Sequence, residues 1–402
     1  MNLTTEDKLV LYASKLHISE NEIRQVEEAI PLVKDWNYFT ENAIQNGSGP
    51  LLFKNLPLVS NSNLIPKEYF EKFGKAYYRS LSRNMVLYEH LKNIVNIFSK
   101  EGIEVIALKG ILMAESIYGD IALRQMSDID LLLKEHEAEK AWNILKAHGY
   151  QYQEFHKTEF ITNLNDHKHM PQLIMNGIQV ELHYRTHIRY RGFDIKMEDY
   201  WAKSQPVVLN GVSLRKLCPE HQIQHSFIHL DEHFSDGKPQ IYGFIDIAGV
   251  IEKYSSEIDW NYFDESSRDY KCDNIVYKYL FLLNKYFNID LPQFIINKAK
   301  TIIDSKTERL FIHYLQHYRK DLPLELSSRN YEILSHINGF RNKIKYLIDD
   351  LFPSKKFMLA RYKIKNKNLL FWFYIKRIWV GIKSIYLIIL SKIVTSIKSG
   401  KS

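Results

Sequence analysis

Asp128, Ile129 and Asp130 open the run DIDLLL over 128–133, where acids and apolar residues alternate before the run turns wholly apolar. On a β-strand, residues two apart face the same side, so Asp128 and Asp130 project together while Ile129 and Leu131 turn into a core. Two such carboxylates repel each other unless a cation lies between them, and Mg²⁺ (or Mn²⁺) favours oxygen ligands of this kind. A second alternating run, Ile178–Arg185, puts Glu181, His183 and Arg185 on one face and Val180, Leu182 and Tyr184 on the other. If this run lies beside the first, Glu181 becomes the third acid, so Asp128, Asp130 and Glu181 are the expected catalytic and metal-ligating residues. His183 and Arg185 then either touch substrate or orient the acids. Three acids around one or two divalent cations suit phosphoryl transfer.

Phosphates need cationic and hydrogen-bonding partners. Lys109-Gly110 follows the β-branched run Glu104–Leu108 and precedes a helical stretch, a turn at which backbone amides favour an anion. Arg124 and Ser127 stand just ahead of the carboxylates. Lys109, Gly110, Arg124 and Ser127 are therefore the expected nucleotide-binding residues, with Arg124 in charge-assisted contact with phosphate. A structural pairing of Arg124 with Asp120 or Asp128 is the alternative.

The elements that must hold these residues follow from periodicity. Residues 1–98 read as a helical region, with Glu20–Lys34 and Lys67–Ser99 as long helices and a turn-rich linker, Asn46–Pro66, between them. Glu104–Leu108 and Asp128–Leu133 read as strands, Ile111–Tyr118 and Glu135–His148 as helices, and Tyr150–Phe155 alternates weakly. Asn176-Gly177 between two apolar runs is a strong signal for a two-residue hairpin turn. The class is α+β: a small mixed-sheet core at 99–200, flanked by the N-terminal helices and a C-terminal helical domain at 201–352. Helices are expected there at Glu220–His233, Ile241–Tyr254 and Asn274–Phe287. Pro353 then opens a tail, 353–402.

Charge divides the chain more sharply than its net +7 implies. Twelve of the 54 basic residues and none of the 47 acids lie in 351–402, leaving 42 basic against 47 acidic residues, a balance of −5, in the rest. The body therefore shows no general nucleic-acid surface, and nucleic acid is not expected as a partner, tRNA excepted. The stretch Leu369–Ile397 is apolar but interrupted by Lys376, Arg377, Lys383 and Lys392, so it falls short of the roughly 20 apolar residues of a membrane span. As a helix it sets Lys376, Lys383, Lys398 and Lys401 on one face, with the apolar Phe373, Trp379, Tyr386 and Leu390 along the same stretch. That geometry suits an anionic membrane surface engaged by 355–402, with packing on the body, nucleic acid or a partner helix as alternatives. Two distant cysteines, Cys218 and Cys272, and a polar acidic start fit a cytoplasmic protein, peripheral at the inner face of the membrane.

Several histidines invite a ligand reading and receive a plainer one. His156, His167, His169 and His187 are expected as polar loop residues, because no zinc-ligand spacing accompanies them. His221, His225, His229 and His233 recur every four residues and are expected along one partly buried polar helix face. Asp246, in an apolar helix, needs a partner and is expected to cap or pair within the helical domain.

The stretches Ala107-Leu108-Lys109-Gly110, Tyr118-Gly119-Asp120 and Arg124 to Leu132 closely resemble an incompletely characterised family of bacterial nucleotidyltransferase-like proteins within the DNA polymerase β-like superfamily. Gly177 to Tyr184 is similar to the strand that carries the family's third acid, and Tyr242–Ile247 resembles its downstream helix. The likeness runs from the N-terminal helices to about Pro353. Where the superfamily has Gly-Gly or Gly-Ser, this chain has Lys109-Gly110 and a longer stretch before Asp128. The resemblance implies metal-dependent transfer of a nucleoside monophosphate from a nucleoside triphosphate such as ATP to an unknown acceptor. It also implies a setting in envelope-polysaccharide or modified-peptide biosynthesis. The alternatives are a non-catalytic nucleotide-binding subunit of a biosynthetic complex, or a toxin-like transferase acting on tRNA or protein.

Overall fold

The computed structural model describes residues 3–152, 168–188, 191–235, 241–317, 340–362, 364, 366–379 and 381–382. The chain forms two compact units, one of 1–152, 169–187 and 193–320 and one of 153–168, 188–192 and 321–402. Among the described residues, the chemistry-bearing positions singled out above, those of the tail aside, lie in the first.

That unit opens on helices α1 (Thr5–Ala13) and α2 (Glu20–Ala29), each started by a reciprocal cap: Thr4 with Asp7, and Ser19 with Glu22. Next come α3 (Trp36–Gln45) and α4 (Gly49–Asn55), then the 34-residue α5 (Lys67–Lys100). The segment 46–66, expected as a turn-rich linker, is thus partly helical. Pro50 sits at the first turn of α4, where the missing amide hydrogen costs nothing.

Seven strands follow: β1 (Ile106–Leu108), β2 (Asp128–Leu132), β3 (Gln151–Tyr152), β4 (Leu173–Met175), β5 (Ile178–His183), β6 (Gln205–Leu209) and β7 (Val212–Lys216). They form one mixed sheet in the order β3-β4-β5-β2-β1-β7-β6. Helix α6 (Lys109–Ser116) leaves β1 directly, α7 (Glu135–Ala147) follows β2, and α8 (Met197–Ala202) precedes β6. The sheet does not end at residue 200, the expected boundary. β7 pairs in parallel with β1, and a second Asn-Gly turn, Asn210-Gly211 with φ of 44° and 76°, closes the β6–β7 hairpin.

Alternation orients the sheet. Ala107, Ile129, Leu131, Val180 and Leu182 enter a core shared with Leu91, Ile94 and Phe98 of α5 and Ala141 and Leu145 of α7. The acids of β2 and β5 consequently face the other side.

The C-terminal helices are α9 (Pro219–Ser235), α10 (Ile241–Lys253), α11 (Trp260–Asp269), α12 (Asp273–Phe287), α13 (Gln293–Ile302) and α14 (Ser305–Gln316). They share an aromatic core in which Phe244 stacks on Phe287 at 5.6 Å and meets Phe311 at 5.2 Å. They also join the N-terminal helices: the Gln316 amide donates to Asp7 at 2.7 Å, and Lys15 donates to the carbonyl of Phe287. The two helical regions expected to flank the core are therefore parts of one packed body. Cys218 and Cys272 are buried and free.

The second unit contains α15 (Phe340–Leu351), α16 (Lys355–Arg361) and a helical stretch at 370–379. No helix among the described residues is long and apolar enough to cross a membrane. Of the expected amphipathic tail, Lys383, Tyr386, Leu390, Lys392, Lys398 and Lys401 lie outside the described residues, as do His156 and His167.

Candidate active site

The parallel pairing of β2 with β5 sets Asp128 across from Gln179, Asp130 across from Glu181 and Leu132 across from His183. The antiparallel pairing of β1 with β2 sets Leu108 across from Asp130, so the next residue, Lys109, emerges beside that acid. Lys109 has a left-handed φ of 52°, a conformation that costs a lysine roughly 1–3 kcal/mol and concentrates at functional turns. Its ammonium lies 2.6 Å from Asp130 Oδ1 and 3.8 Å from Glu181 Oε2. Gly110 is demanded by close approach, because a Cβ there would sit 2.9 Å from Met126 Cγ.

Fully buried His183 completes the group, its Nε2 lying 2.8 Å from Asp130 Oδ1 and 3.3 Å from Glu181 Oε2. Its Nδ1 has no hydrogen-bond partner among the described residues. Asp130, Glu181 and His183 each bring a donor atom within 4.8 Å of the others. Asp128, two residues before Asp130 on β2, is half-buried and accepts from the Ser127 hydroxyl at 3.0 Å. Two residues not singled out as ligands join from the β4 side. The Gln172 amide donates to Glu181 Oε1 at 3.2 Å, and His169 Nε2 lies 4.0 Å from Glu181 Oε2 with its ring 5.2 Å from that of His183.

Electrostatics separates the three acids. Burial opposes ionisation of Asp130, but the Lys109 ammonium and the His183 hydrogen bond outweigh it and hold the carboxyl well below its ordinary range. Burial likewise opposes charge on Glu181, and His183 and Lys109 bring it down. Asp128 is pushed up to about 6 by burial and by the charge of Asp130, with Lys109 offsetting only part of that. Three carboxylates thus face a single ammonium, and Lys109, despite burial, is held firmly protonated by them. Carboxylate oxygens with one imidazole nitrogen form a donor set that fits a small divalent cation, Mg²⁺ by its oxygens and Mn²⁺ by either atom type.

Arg124 is placed elsewhere. Its guanidinium is buried against Asp246 of α10, with Nη2 2.7 Å from Oδ2 and Nε 2.8 Å from Oδ1. The Tyr118 hydroxyl donates to the same carboxylate at 2.8 Å, and the guanidinium lies 3.8 Å above the Tyr242 ring. The partner of Asp246 is therefore a residue of the core, outside the helical domain where one was expected. Arg185 runs past the end of β5 and pairs with Glu135 at the start of α7.

The row on α9 forms no metal group among the described residues. His221 stacks on Tyr200 at 4.2 Å, and burial pushes its pKa down to about 4. His187 packs edge-on against Phe193 at 5.8 Å.

The family model described as uncharacterised nucleotidyltransferase matches residues 33–288, which include the whole sheet and every residue of the cluster. The chain belongs to that nucleotidyltransferase family. No curated protein matches it in sequence. The solution structure of the antibiotic-resistance factor ANT(2'')-Ia, described as revealing substrate-regulated conformation dynamics, is 12% identical over 51% of this chain and 99% of its own, with a TM-score of 0.32. Within the nucleotidyltransferase match, β1, β2 and β5 bring Lys109, Asp128, Asp130 and Glu181 onto one side of the sheet.

Proposed function

We propose that this nucleotidyltransferase moves a nucleoside monophosphate from a nucleoside triphosphate to an acceptor hydroxyl or phosphate. The observation that carries the reading is the register pairing of Asp130 with Glu181 beside Asp128, three carboxylates against one ammonium. Asp130, Glu181 and His183, with Asp128 beside them, would hold one or two divalent cations, Mg²⁺ or Mn²⁺. A bound cation supplies charge neutralisation on the phosphates and a more nucleophilic acceptor oxygen.

The chain's own residues account for the rest. The Lys109-Gly110 turn and Ser127 hold the triphosphate, Lys109 through its charge and Ser127 through its hydroxyl. The acceptor oxygen bonds to the α-phosphorus, the bond to the β-phosphate oxygen breaks, and pyrophosphate leaves. The acceptor's proton passes to the carboxylate cluster, where Glu181 is the acid assigned to take it. Arg124, committed to Asp246, positions the loop ahead of β2 and does not reach for phosphate.

The test is incubation of the purified chain with Mg²⁺ or Mn²⁺, each labelled nucleoside triphosphate and cell extract as acceptor source, beside Asp128→Asn. Label transfer with pyrophosphate release, lost in the variant, is expected. Metal-dependent nucleotide binding without turnover in any extract would favour the non-catalytic subunit.

The tail has a role of its own in this proposal, to hold the enzyme at an anionic membrane surface. Phe371, Trp372 and Trp379, each more than 60% exposed in the second unit, support it. Flotation with anionic liposomes should recover the full chain and not a chain lacking 355–402.

A further inference from the structure

Helix α5 carries Lys72, Lys75, Arg79 and Arg83 at spacings of three and four residues, so the four cations form one stripe. The stripe lines a cleft of about 1060 Å³ that ends at Met126 and Ser127, next to Asp128. Among the described residues, no carboxylate and no aromatic ring lines this cleft. None of the four cations pairs with an acid among the described residues; Arg83 instead donates to the carbonyls of Ser127 at 2.9 Å and Gly177 at 3.2 Å. In a body whose balance is −5, an uncompensated cationic stripe ending at the carboxylates is a specific feature.

Eleven residues of helix set the outer cations about 16 Å apart, too long a row for one phosphate. The cleft adjoins the triphosphate site at Ser127, while Met126, which lines the cleft and packs on Gly110, stands between the stripe and the Lys109-Gly110 turn. With cations and no aromatic ring among the described lining residues, recognition in the cleft falls to phosphate charge.

We propose that this cleft seats the acceptor, and that the acceptor is a phosphate-bearing chain gripped by its phosphates. The inference rests on the transfer reading above, since it names what the cluster modifies. A phosphodiester strand and a small polyphosphorylated ester share this chemistry.

The experiment measures, in EDTA, anisotropy of a labelled single-stranded oligoribonucleotide on the full chain and its competition by inorganic tripolyphosphate. Lys75→Glu with Arg79→Glu, both at exposed positions, should weaken the probe at least about 10-fold and reduce the salt slope by about two. Competition by tripolyphosphate identifies the small ester as the source, and its failure to compete identifies the strand; both support the cleft. Unchanged affinity in the double variant overturns the inference, as does equal loss of Mn²⁺-dependent nucleoside triphosphate binding, which would give the cleft to the donor. Asp128→Asn should keep probe affinity while losing transfer. A wild-type chain that binds the probe through the cleft but transfers to no acceptor would overturn the transfer reading, while the double variant would still report on the cleft.

Discussion

Two buried ionic groups in this fold are built on opposite principles. Around Arg124, one guanidinium meets one carboxylate, Asp246, and two tyrosines complete the set through a hydrogen bond from Tyr118 and the face of Tyr242. Charge is balanced, and Nε, Nη1 and Nη2 of Arg124 all donate. Around Lys109, one ammonium meets Asp130 and Glu181, with Asp128 adding a third carboxylate. Charge there is in anionic excess, His183 keeps an orphaned Nδ1, and the lysine backbone is strained. A balanced buried pair is sufficient as architecture; an unbalanced one asks for another cation. The difference explains why proximity to the Asp-x-Asp pair was a poor guide to what Arg124 does.

The comparison can be broken most forcibly at Arg124. Arg124→Ala leaves Asp246 buried without its cation and should destabilise the fold by about 3–5 kcal/mol. Thermal melting would show it, and divalent metal should not restore the loss. Lys109→Met should cost less in metal-free buffer, roughly 1–3 kcal/mol, because His183 still reaches Asp130 and that acid can take up a proton. Here Mn²⁺ should restore the melting temperature beyond the wild-type shift. Equal response of the two variants to metal would erase the distinction between the sites.

Much of the centre was legible because it depends on period and turn chemistry. Alternation in DIDLLL and in Ile178–Arg185 fixed which side chains share a face, and Asn176-Gly177 fixed the hairpin that carries Glu181. The same logic reaches Gln172, since counting back from that turn sets it opposite Glu181. It misses His169, because the ladder slips by one residue before His169 meets His183, and a slip leaves no mark in periodicity. The β6–β7 hairpin carried an equally clear Asn210-Gly211 signal, but its strands lie beyond the stretch read as the core, and parallel pairing to β1 is a long-range event. Arg124 and Asp246 are 122 residues apart, and nothing local in either stretch announces the other. The α5 stripe was hidden by averaging, because four cations vanish within a body of net negative charge.

The smallest effect on stability is expected at Asp128, and it sharpens the contrast most. In the folded state its pKa rises to about 6 from an ordinary 3.8, so between those values the folded chain holds a proton that the unfolded chain has released. That difference makes stability fall as pH rises through the window, with the full cost present above about 6. Asp130 and Glu181 act in the opposite sense: their depressed values contribute stability above their ordinary range that is lost on acidification. Asp128→Asn removes only the first contribution. In EDTA at neutral pH the variant should therefore melt at or slightly above the wild-type temperature, and its stability should no longer decline between about pH 4 and 6 on the Asp128 account. Its Mn²⁺-induced shift should shrink without vanishing, because Asp130, Glu181 and His183 keep their donors together. A melting temperature clearly below wild type in EDTA would mean that Asp128 is a structural acid with a cation partner of its own, and the excess charge that distinguishes this cluster from the Arg124 network would be gone.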